Sequence, residues 1–99
     1  MADTATAAYS LPRYVYASIT ADGAMLLDTR RKGTWFTVNP TGAHLLRLLL
    51  AGATLDQAVT ALAAFYGTDR TTIGIDMAHL ATDLTLHGLL QQPAQVSGK

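Results

Sequence analysis

From Tyr14 to Thr20 the chain alternates, with Val15, Ala17 and Ile19 on one side and Tyr14, Tyr16 and Ser18 on the other. A period of two is the mark of a half-buried strand. Asp22-Gly23 then predicts a tight hairpin turn, because these residue types tolerate the positive φ values such a turn uses. Ala24 to Asp28 returns as a second strand. Arg30, Arg31, Lys32 and Gly33 make a polar turn, and Thr34 to Val38 is a third strand of strong β formers. Links this short favour pairing in sequence order, which leaves the third strand at an edge.

Beyond Val38 the period changes. Asn39-Pro40-Thr41 closes the strand and opens a helix that runs through Leu50, with Leu45, Leu46 and Leu49 facing inward. Ala51-Gly52-Ala53 ends it. Thr54 is placed to cap a second helix, in which Leu55, Val59, Leu62 and Tyr66 recur at helical spacing. Gly67 stops that helix, Asp69 caps a third, and the third runs to about His87 before Gly88, with Leu89 and Leu90 packing back. The order βββααα predicts an α+β domain, a three-stranded antiparallel sheet covered on one face by three helices. Residues 12–91 form this domain, and residues 1–11 and 92–99 are expected to be loose ends.

Composition narrows the function classes. In 99 residues, 49% are hydrophobic and only 14% are charged, a globular balance that leaves some apolar side chains outside. Seven basic and seven acidic residues cancel, so no polyanion partner is indicated, and all seven acids are Asp. There is no cysteine, which removes disulfides, thiolate metal sites and cysteine nucleophiles together and fits the cytosol. The first eight residues lack the charged and apolar regions of a signal peptide. No apolar run reaches the ~20 residues a membrane helix needs.

Two features stand out. Trp35, Phe36, Thr37 and Val38 form an uncharged edge run without proline, and edges left unblunted invite an incoming strand. The alternative is that Phe36 and Val38 are core and Trp35 a lone surface aromatic. On the third helix Ile73, Met77, Leu80 and Leu84 share the core face, whereas Ile75, Thr82 and Leu86 lie nearly opposite. Asp76, His79, Asp83 and His87 run between these stripes. One straight helix cannot wrap a tetrahedral ion with four ligands, so these read as a solvated face and no metal or cofactor is expected. Ser10, Ser18 and Ser97 lack nucleophile context, and no phosphate loop occurs, so no catalytic apparatus is expected. A βββααα chain with a basic turn also suits a winged-helix DNA-binding regulator. Against it, Thr71 to His87 carries two Asp and no Lys or Arg, a poor face for phosphates. A third reading is a structural subunit whose partner covers Ile75 and Leu86.

Asp22-Gly23-Ala24-Met25-Leu26-Leu27-Asp28, then Trp35-Phe36-Thr37-Val38-Asn39-Pro40-Thr41-Gly42, the Gly67 break and the closing Gly88-Leu89-Leu90 together resemble PqqD-like proteins over roughly residues 12–92. Within that family the chain is most similar to the stand-alone leader-binding proteins of lasso-peptide clusters. The resemblance implies a winged-helix-like RiPP recognition element, a scaffold that binds the leader of a ribosomally made precursor as an extra strand beside the third β-strand. The implied partners are that leader, a cysteine leader peptidase and an asparagine-synthetase-like macrolactam cyclase. No chemistry would belong to this chain. By position, Thr34, Trp35, Phe36, Thr37 and Val38 would supply the pairing and part of a pocket wall. Asp76, His79, Leu80 and Asp83 would face them. Ile75, Thr82 and Leu86 would face the enzymes or, alternatively, the peptide. Trp35 departs from the Tyr frequent in relatives.

Overall fold

A computed structural model describes residues 8–93, apart from the Arg31 side chain. Three strands, β1 (Val15–Thr20), β2 (Gly23–Asp28) and β3 (Thr34–Val38), pair antiparallel in the order β1-β2-β3. Three helices follow, α1 (Pro40–Leu50), α2 (Leu55–Tyr66) and α3 (Arg70–Leu86). The α+β order expected from the periodicity is the order found.

The core lies between the sheet and the helices. Val15, Ala24 and Leu26 supply the sheet side, and Leu45, Leu46, Leu49, Leu62 and Leu89 are fully enclosed opposite. Burying each leucine contributes about 1.5–3 kcal/mol before chain entropy is set against it. Leu80, on the core stripe of α3, is only partly buried, because it stands where α3 parts from the sheet.

The helices begin where their capping residues say they should. Asn39 accepts the Gly42 amide at 2.8 Å, with Pro40 in the first turn. Thr54 and Gln57 form a reciprocal capping box, and Asp69 accepts the Thr72 amide. Each cap satisfies amides that would otherwise lack a partner.

Two expectations need correction. The hairpin turn is Ala21-Asp22, not Asp22-Gly23, since Thr20 pairs with Gly23. Thr20 Oγ1 closes the turn, accepting the Asp22 amide at 3.1 Å and donating to the Gly23 carbonyl at 3.3 Å. Gly23 opens β2 at φ +143°, and a Cβ there would lie 2.7 Å from the Val38 carbonyl oxygen. The glycine therefore serves the passage of β3, not the turn. The second correction concerns residues 9–11, expected to be loose. Tyr9 and Leu11 pack on the core, and Ser10 exchanges backbone hydrogen bonds with Gln91 at 3.1 and 2.8 Å. Residues 1–7 and 94–99 lie outside the described part.

Gly23→Ala should therefore lower stability by about 1–3 kcal/mol, since it combines a disfavoured φ with a clash against backbone. Urea titration followed by circular dichroism measures this; a variant as stable as the parent would contradict the close approach.

Candidate functional site

The direction of every β3 amide follows from the register. Thr29 donates its amide to the Tyr14 carbonyl at 3.0 Å, so Tyr14 and Thr29 form a hydrogen-bonded pair. Such pairs alternate along an antiparallel ladder. Gly23, Met25 and Leu27 therefore turn their backbone groups to β1, and Ala24, Leu26 and Asp28 turn theirs to β3. On β3 the groups of Thr34, Phe36 and Val38 face inward. Those of Trp35 and Thr37 face the open edge, where the described residues contribute no further strand.

Alongside that edge runs α3, and a cleft of about 630 Å³ opens between them. Thr37, Val38 and Asn39 form the strand wall. Thr72, Ile73, Asp76, Met77 and Leu80 form the helix wall, and Tyr66 and Thr68 close the end at the α2–α3 junction. The floor is apolar, and Asp76 is the one carboxylate among the lining side chains. A smaller hollow of about 230 Å³ continues at the other end of β3, between Thr34, Phe36, Leu86 and His87. The His87 ring leans on Phe36 at 5.8 Å between centroids, and its Nδ1 donates to the Asp83 carbonyl at 2.8 Å.

Two contacts fix α3 against the sheet. At one end Gly42 admits both neighbours: a Cβ there would lie 2.4 Å from Val38 Cγ1 and 2.7 Å from Leu80 Cδ2. At the other end Asp28, only 2% exposed, receives the Arg30 guanidinium through hydrogen bonds of 2.9 and 3.1 Å. The same guanidinium donates to the His87 carbonyl at 3.3 Å, at the end of α3, and lies 4.0 Å from the Tyr14 ring centroid. Hydrogen bonding to Asp28 is the main cause that raises the Arg30 pKa above its ordinary value. Arg30 thus ties β2 to the end of α3.

Of the residues singled out from sequence, Thr37, Val38, Asp76 and Leu80 meet at the larger cleft, and Thr34, Phe36 and Leu86 at the smaller hollow. Asp83 and His79 sit on or beside the same helical face without lining either space. Ile75 and Thr82 are exposed and line neither. The Trp35 side chain points away from α3, because Phe36 and Val38 take the inner face; it is not a wall of the cleft. Sequence reasoning did not single out Asn39, Thr41, Thr68 and Thr72 for the site, and it placed Tyr66 only on the repeating stripe of the second helix. Tyr66 is partly exposed and lines the cleft, a position set by the fold of the α2–α3 turn.

An open, uncharged strand edge facing a helix across a cleft with an apolar floor and a polar rim defines a domain suited to receive an extended chain. The family profile described as Coenzyme PQQ synthesis protein D (PqqD) matches residues 23–90, and the chain belongs to that family. Its fold is similar to a lasso peptide synthetase B1 complexed with the leader peptide, at 30% identity and TM-score 0.74, covering 85% of this chain and 98% of that one. It is also similar to TbiB1 in complex with the TbiA(beta) leader peptide, at 27% identity and TM-score 0.74, covering 87% and 99%. At 22% identity and TM-score 0.68 it shares the fold of the PqqD truncation of Methylobacterium extorquens PqqCD, a stand-alone RiPP recognition element, covering 92% and 96%. No curated protein sequence matches the chain.

Proline reads the alternation directly. Thr37→Pro removes an amide that faces the open edge and should leave stability within about 1 kcal/mol of the parent. Phe36→Pro removes a ladder donor and should cost about 3 kcal/mol or more. Equal melting temperatures for the two variants would overturn the assignment of the edge.

Proposed function

We propose that this chain is a non-catalytic recognition protein. It binds the leader segment of a ribosomally synthesised precursor, a lasso-peptide precursor, as a fourth strand on β3. The bound precursor is then presented to a cysteine leader peptidase and an asparagine-synthetase-like macrolactam cyclase, in the cytosol where the precursor is made. The observation that carries this reading is the open edge at Trp35 and Thr37 set against α3 across a cleft with an apolar floor. It occurs in a domain alike, over nearly the whole length of both relatives, to proteins whose structures hold leader peptides.

Main-chain hydrogen bonds at the edge supply affinity with little regard to sequence, and the spaces on the inner face select side chains. Thr34, Phe36, Val38, Asp76 and Leu80 belong to that selection, with His79 and Asp83 bordering it. Ile75 and Thr82 are left for the enzymes. The rival reading, a DNA-binding regulator, meets three obstacles. Arg30 of the basic turn is bound to Asp28. Arg70, the cation that opens α3, is bound to Asp56 and Thr60. The remainder of α3 presents Asp76 and Asp83.

The test is titration of fluorescein-labelled leader peptides of lasso-peptide precursors, read by fluorescence polarisation. Thr37→Pro should abolish binding while the thermal melt stays intact. Between 50 and 200 mM salt, leader affinity should change only about threefold, whereas a protein neutralising several phosphates would lose on the order of a hundredfold or more on duplex DNA. Tight duplex binding without leader binding would defeat the proposal.

A further inference from the structure

The face of the sheet turned away from the helices is unusual. The register sets Tyr16, Leu27 and Trp35 in one row across β1, β2 and β3, and Ser18, Met25 and Thr37 in the next. None of these six side chains is charged. Tyr16 is 65% exposed, Trp35 55% and Met25 44%. A sheet with one face in water ordinarily alternates apolar inside and polar outside. Here the apolar row runs outward across the strands and stops at Trp35, on the open edge.

We propose that the peptide added at β3 is read on both faces of the sheet, and that Trp35 is the outer reader, taking a large apolar side chain of the peptide. The inference rests on strand addition at β3. Given that addition, the rest is geometry. Successive side chains of a strand point to opposite faces, whichever way the added strand runs. Half of the peptide's side chains enter the spaces beside Phe36, Val38 and α3. The others lie on the far face, and those beside Trp35 stand at cross-strand distance, about 4.5–5.5 Å between Cβ atoms. There they extend the row Tyr16–Leu27–Trp35 by one residue and cover the indole. A peptide that satisfies this chain therefore carries an apolar residue at an odd-numbered step from those that fill the cleft. A groove reader confined to β3 and α3 would ignore that position.

Trp35 is the sole tryptophan of the chain, so its emission reports this contact without a label. The full chain is titrated with an unlabelled lasso-precursor leader, in a form free of tryptophan, while polarisation of the labelled leader measures binding independently. Trp35 emission should move to the blue and follow the same binding curve. Trp35→Ser should weaken binding roughly three- to tenfold with an unchanged melt, and Trp35→Phe should restore most of it. Serine scanning of the leader should then find one position whose substitution weakens binding to the parent but not to Trp35→Ser, with its immediate neighbours insensitive to Trp35. If the leader binds while emission stays fixed and Trp35→Ser binds like the parent, the outer face is unread and strand addition stands alone. If Thr37→Pro binds like the parent, or the leader does not bind at all, strand addition and this proposal fall together. A blue shift that grows with protein concentration before any peptide is added would assign the face to a second copy of the chain and overturn the proposal.

Discussion

The close meeting of β3, α1 and α3 depends on Gly42 having no side chain. Val38 from the end of β3 and Leu80 from the middle of α3 both occupy the space that a Cβ at this position would take. The larger cleft opens on the Thr72–Asp76 side of this meeting point, and the smaller hollow lies on the Leu86–His87 side. Asn39 and Pro40 start α1 immediately after β3, so Gly42 reaches this spot within one turn. At the opposite end the Asp28–Arg30 pair reaches from β2 to the last turn of α3 through the His87 carbonyl. A buried carboxylate is costly unless paired and hydrogen-bonded, which makes this contact strict in its geometry. The two contacts place the helix against the sheet before any ligand arrives, and a binder organised in advance spends less of its interaction energy on ordering itself.

An exposed strand edge is a hazard that soluble domains usually blunt with charge, proline or a bulge. On β3 none of these devices is present, and Arg30 of the preceding turn is paired with Asp28. This combination separates the domain from a winged-helix reader of nucleic acid with the same element order. Such a protein needs its basic turn and its third helix free to meet phosphates. Here the turn braces the helix, and the helix offers its apolar and acidic side to the groove. Element order alone does not assign a function, and here the placement of a few charges weighs against nucleic acid.

The sequence by itself determined most of the fold. Alternation in Tyr14–Thr20, the capping residues Asn39, Thr54 and Asp69, and the stops at Gly67 and Gly88 are local signals, and each element lies within a residue or two of its expected place. The edge position of β3 was also legible, since short links force neighbours in sequence to become neighbours in the sheet. Legible too were the exposed stripe Ile75, Thr82 and Leu86 and the family resemblance, whose residues include the junction that builds the cleft. What only the tertiary structure decided depends on distances between residues far apart in the chain. Which β3 amides face outward required the pairing of Tyr14 with Thr29, because one step of register exchanges the two sets. The use of Gly23 and Gly42 was hidden, since a missing side chain shows its purpose only when its neighbours are in place. Tyr66, Thr68 and Thr72 join the site through the turn between α2 and α3, and the far-face position of Trp35 follows from Phe36 and Val38 taking the core. Periodicity records which face a residue occupies within its own element; what stands opposite that face is settled only by packing.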